Sequence, residues 1–125
     1  MIDDAAARER LLQTIYAAFN SRDLDAALTT MQPDVVWPNG MEGGYVNGRD
    51  GVREYWSRQW GLIDPSVEPL RFTHGVGEVV VDVKQLVRDL SGAVVVDAIV
   101  RHAYRFENGL IQSMEIRGPA DPASS

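Results

Sequence analysis

The chain has 125 residues, 45% of them apolar, with 12 Lys and Arg against 18 Asp and Glu and a formal net charge of −6. That length suits one domain around a single core, and with no Lys/Arg cluster a nucleic-acid footprint is not expected. Cysteine is absent, which removes disulfide frameworks and thiolate metal sites, and no apolar run approaches the roughly 20 residues of a membrane span.

In chain order, the N-terminus MIDDAAARER is charged where a signal peptide would be apolar, so a cytoplasmic protein is expected. Residues 3–20 read as a helix, with Leu12, Ile15, Tyr16 and Phe19 on one face. Asp23 is placed to cap a short second helix carrying Leu24, Ala27, Leu28 and Met31, which Pro33 stops. A short strand over 35–37 ends at the turn signal Pro38-Asn39-Gly40, and the glycines from 40 to 51 mark a long irregular loop. Asp50 is placed to cap a third helix over 51–61, whose Val52, Tyr55, Trp56, Gln59 and Trp60 share a face. Beyond Ser66 the period changes to two. Strands are predicted at 67–74, 78–90, 94–106 and 110–117, with turns at Gly75-Val76-Gly77, Ser91-Gly92 and Glu107-Asn108-Gly109. Helices followed by antiparallel strands imply an α+β fold, with helices on one face of a curved sheet. The domain is expected over 1–118, with a low-complexity flexible tail over 119–125.

Alternation assigns faces along the strands. Val79, Val81, Val83, Gln85 and Val87 fall on one side of the second long strand, and Asp82, Lys84 and Arg88 on the other. In the third, Ala98, Val100, His102, Tyr104 and Phe106 form the apolar set, while Asp97, Arg101 and Arg105 point outward; Met114 and Ile116 face inward from the fourth. Gln85 and His102 therefore interrupt the inward apolar set, and adjacent antiparallel strands are expected to bring them together. A core histidine bonded to a carbonyl competes with a pocket histidine that acts as acid, base or donor.

Three stretches carry a family resemblance: FNSRDLDAA over 19–27, GRDGVREYW over 48–56 and YRFENGLI over 104–111. With the element order, they resemble the nuclear transport factor 2-like superfamily, and in particular its SnoaL-like and steroid isomerase-like members. The resemblance implies a cone-shaped fold, a curved antiparallel sheet packed against three N-terminal helices, with a deep pocket. It also implies a homodimer through the outer sheet face, a role to which the two-sided apolar runs Val79–Val81 and Val94–Val96 are suited. Members bind small apolar molecules, isomerise or cyclise them, or hold partner proteins.

Carried over residue by residue, the steroid isomerase pattern puts its oxyanion-donating acid at His102, its general base near Asn39 and its tyrosine near Ile15, one residue from Tyr16. Asn39 cannot take up a proton, so isomerisation by that mechanism is not expected. The epoxide hydrolase branch requires inward carboxylates and an arginine, whereas Asp82, Asp97 and Arg101 read as outward.

The expected site has His102 and Gln85 as catalytic residues. Tyr16, Phe19, Trp37, Asn39, Tyr55, Trp56, Gln59, Trp60, Tyr104 and Met114 bind a small apolar or aromatic ligand, with Met41 and Tyr45 as lid candidates. Neither metal nor cofactor is expected; the glycine-rich loop lacks phosphate-binding spacing, and His74 should lie at a strand end in solvent. The function expected is small-molecule binding with acid/base isomerase, cyclase or hydratase chemistry. The alternative is a non-catalytic binding or accessory domain acting as a homodimer.

Overall fold

The computed structural model describes residues 4–117; Asp3 and the tail expected over 119–125 lie outside the described residues. The helices are α1 (Asp4–Ser21), α2 (Leu24–Leu28) and, after the first two strands, α3 (Gly48–Leu62). The strands are β1 (Met31–Pro38), β2 (Tyr45–Asn47), β3 (Ile63–Gly75), β4 (Glu78–Asp89), β5 (Val94–Glu107) and β6 (Leu110–Arg117). The described strands form one curved sheet in the order β2-β1-β6-β5-β4-β3. β3 to β6 run as an antiparallel meander, and β1 joins β6 in parallel.

The helices cover one face of this sheet, as the patterning requires. Leu12, Ile15 and Tyr16 of α1 and Val52, Tyr55 and Trp56 of α3 are buried in one cluster with Val79, Val81 and Val83 of β4 and Tyr104 of β5. Val35 and Trp37 of β1 and Ile111 and Met114 of β6 complete it. Each such side chain taken out of water stabilises the fold by roughly 1.5–3 kcal/mol before entropy is counted.

Several expectations change at the element boundaries. Met31 begins β1 and does not end α2, and Pro33 lies within the strand. The β1–β6 ladder shifts register between Met31 and Val36, so the missing N–H of Pro33 falls where pairing is already interrupted. Within the glycine-rich segment, Tyr45–Asn47 pairs with Val36–Pro38 as β2. β3 starts at Ile63 despite Pro65 and Pro69, because it is an edge strand and half its backbone donors need no ladder partner. The exposed edge is clasped by Asn20, whose side-chain amide donates to Val67 O (2.7 Å) while its Oδ1 accepts from Val67 N (2.9 Å).

Caps divide likewise. Asp23 caps α2 by accepting from Ala26 N, but Asn47, not Asp50, precedes α3, and it makes no side-chain cap. Asp50 lies in the first turn, where its charge faces the positive end of the helix dipole. His74 is exposed near the end of β3, as expected, and its Nε2 lies 2.6 Å from Glu9 Oε2 of α1. Among the described residues, no helix is long and apolar enough to cross a membrane.

Candidate active site in the cone

Between the helices and the sheet lies a cavity of about 460 Å³, within the range of small-molecule sites. It is lined by Ile15, Tyr16 and Phe19 of α1, Trp37 of β1, Tyr55, Trp56 and Gln59 of α3, and His102, Tyr104 and Met114 of the sheet. Gln85, Val87, Val95, Val96, Ile63, Val67, Ile116 and the loop residues Gly40 and Met41 also line it. No carboxylate, lysine or arginine is among these residues.

The aromatic walls are tied together. Phe19 meets Trp56 edge-on with centroids 4.9 Å apart, Trp56 meets Trp37 at 5.6 Å, and Trp37 meets Tyr104 at 6.1 Å. Edge contacts of this kind hold rings at fixed angles, so the lining is preformed.

At one place the wall is polar. Tyr104 is 1% exposed, and its hydroxyl donates to Tyr16 Oη at 2.8 Å. Tyr16 Oη lies 2.8 Å from His102 Nδ1, and the two rings are stacked at 5.8 Å. Burial lowers the His102 pKa from 6.5 to about 4, so the imidazole is neutral at ordinary pH. Burial likewise raises the Tyr16 pKa well above its ordinary value, reinforced by Tyr104, so its proton stays on. Having accepted from Tyr104, Tyr16 has its own proton left to donate, and Nδ1 is the acceptor it meets. The network therefore assigns the remaining proton of the ring to Nε2. Among the described residues Nε2 has no partner, and His102 lines the cavity. The result is a neutral N–H donor in an apolar chamber. It can bind and polarise an oxygen; with Nδ1 engaged, it has no free basic nitrogen.

The expected residues are thus only partly brought together. His102, Gln85, Tyr16, Phe19, Trp37, Tyr55, Trp56, Gln59, Tyr104 and Met114 all line the cavity. Gln85 does not meet His102, because Val81 is the residue opposite His102 and Gln85 pairs with Ala98. Asn39 is absent from the lining: its Oδ1 accepts from Met41 N and Glu42 N, and its amide donates to Glu42, which shapes the turn. Trp60 packs behind the wall against Phe19, Trp56 and Arg22. Met41 lines the cavity, whereas Tyr45 lies beside a separate hollow with Ala103 and Arg105. Val95 and Val96, assigned by their run to a two-sided strand, line the cavity as well; the β4–β5 ladder skips Val95, so a bulge turns the strand there.

Asp82, Asp97 and Arg101 do not line the cavity. Asp82 and Arg101 lie opposite each other and approach to 4.0 Å. On the same sheet face Glu78 binds Arg117 and Arg105, and the hydrogen-bonded Arg117 guanidinium holds the Glu78 carboxyl below its usual range. Lining residues not named as site residues from the sequence include Ile15, Ile63, Val67 and Val87; only Ile63, beyond Pro65, falls outside the elements predicted there.

The profile of the SnoaL-like domain matches residues 12–114, and the chain belongs to that family. Its fold is similar to that of TerC co-crystallised with polyporic acid: 26% identity, 94% of each chain covered and a TM-score of 0.80. It is also similar to an NTF2-like protein of unknown function from Burkholderia pseudomallei, at 28% identity, covering 94% of this chain and 93% of that one, TM-score 0.79. A Mycobacterium tuberculosis protein in complex with estradiol-17β-hemisuccinate shares the fold at 18% identity, with 92% and 95% covered and a TM-score of 0.76. No curated protein sequence matches the chain.

Proposed function

We propose that this protein binds a small, neutral, ring-containing molecule in the cone and hydrogen-bonds one of its oxygens through His102. The observation that carries the reading is the chain Tyr104–Tyr16–His102, which leaves Nε2–H as a donor in a cavity walled by aromatic rings. An unpaired polar group in such a chamber favours ligands that supply its acceptor. TerC, a structural neighbour co-crystallised with polyporic acid, supports the small-molecule part of this reading.

Trp37 and Trp56 line the cavity, so their fluorescence reports occupancy. 4-Hydroxybiphenyl should bind, biphenyl should bind about fivefold more weakly, and His102→Ala should erase that difference, as expected for one hydrogen bond of about 1 kcal/mol. Equal binding of the two probes by the intact protein sinks the proposal.

A catalytic reading, cofactor-free isomerisation, cyclisation or hydration, is favoured by the same donor, since it would stabilise charge developing on a carbonyl oxygen. It requires a base, and the lining contains no carboxylate. We therefore favour binding over turnover. Deuterium exchange into 2-tetralone should run at the background rate; acceleration that His102→Ala abolishes would reverse this preference.

The protein is further proposed to form a homodimer through the outer sheet face, where Ile99 and Val94 remain about half exposed. Sedimentation at micromolar concentration should give the dimer mass, and a monomer there removes this part of the proposal.

A further inference from the structure

The separation of Gln85 from His102 divides the cavity into two polar ends. His102 lies opposite Val81, and Gln85 lies opposite Ala98, four residues further along both strands. At roughly 3.3 Å per residue the two inward positions stand about 13 Å apart. Both side chains line the same cavity. The Gln85 residue is partly buried, and its amide has no hydrogen-bond partner among the described residues. Around it the lining is aliphatic, with Val67, Val87 and Val96.

We infer that Gln85 is a second recognition point, and that the ligand is a rigid, elongated, neutral molecule of at least two rings carrying an oxygen function at each end. One oxygen accepts from His102 Nε2; the other meets the Gln85 carboxamide, which offers both a donor and an acceptor. This inference rests on the binding reading above and specifies its ligand. A small single-ring molecule would satisfy one end and leave the polar group at the other without a ligand partner, forgoing the affinity of the second hydrogen bond. A flexible chain could reach both ends but would lose conformational freedom on binding, which disfavours it against a rigid one. No charge lines the cavity, so the distal function is a hydroxyl or carbonyl and not a carboxylate or amine.

The test compares 4-hydroxybiphenyl with 4,4′-dihydroxybiphenyl on the intact protein and on Gln85→Leu. The second hydroxyl should tighten binding to the intact protein by about fivefold to tenfold, the worth of one hydrogen bond near 1 kcal/mol. In Gln85→Leu the ratio of the two affinities should fall to about one. The ratio is the reading, because a general loosening of the wall weakens both probes alike. Two-probe titration of the intact protein decides the matter even if the variant does not fold: equal affinities there overturn the inference, as does a ratio that survives Gln85→Leu. If 4-hydroxybiphenyl binds through His102 and the second hydroxyl adds no affinity, this inference alone fails. If 4-hydroxybiphenyl does not bind, the binding reading fails with it.

Discussion

Because burial drives the His102 pKa from 6.5 to about 4, the folded protein keeps this ring neutral at pH values where an unfolded chain holds a proton on it. Between these two values the unfolded state binds more protons than the native state, so stability rises with pH across the window and is lost on acidification from about 6.5 to 4. A shift of that size corresponds to roughly 3 kcal/mol. Urea midpoints should therefore fall in this range for the wild type and fall less for His102→Gln, which cannot titrate; parallel curves would refute the assignment. Tyr16→Phe acts on the same chain. It leaves the buried Tyr104 hydroxyl without its acceptor and Nδ1 without its donor, at about 1–3 kcal/mol. Nitrogen chemical shifts of His102 should change from a single Nε2–H form to a tautomer mixture. Alternation along β5 was enough to read His102 as inward. Its link to Tyr16, 86 residues away, exists only once α1 lies against the sheet, and no local pattern encodes that.

At the scale of elements, legibility follows the range of the forces involved. The β5–β6 hairpin is local: Asn108 (φ 53°) and Gly109 (φ 81°) both take left-handed backbone, as a two-residue turn between right-twisted strands requires. A Cβ added at Gly109 would meet no atom within 4 Å, so Gly109→Ala probes backbone strain alone. It should cost about 1 kcal/mol in urea unfolding, and a neutral result would mean that the turn relaxes. Non-local pairing was harder to read. β2 has three residues between glycines and forms only against Val36–Pro38. Pro33 reads as a helix stop and Pro65 lies before the predicted strand start at 67, yet a ladder gap and a sheet edge let both sit within strands. Gln85 shows the limit most clearly. Alternation gives the face of a residue, but its partner across the ladder depends on the 90–93 connection and the bulge at Val95. The face was legible and the register was not.

At the scale of the whole molecule, charge and cavity are segregated. The net charge of −6 and the ion pairs lie outside a chamber whose lining carries no Asp, Glu, Lys or Arg. Binding of 4-hydroxybiphenyl should therefore change little between low and high salt, since there is no counter-charge for ions to screen. A steep fall in affinity with added sodium chloride would mean that a charged group reaches the ligand. The parallel pairing of β1 with β6 has a consequence in time. Met31 partners Ile111, a contact that closes a very long loop, and such contacts form late. Met114 and Ile116, on β6, are part of the chamber wall. During synthesis, then, the helices and the β3–β4 hairpin can leave the ribosome and associate while the ligand site still does not exist. The chamber is sealed only when residues 110–117 emerge and slide between β1 and β5. Until then the nascent chain exposes its aromatic wall, and this interval is when a chaperone or the ligand itself would matter most.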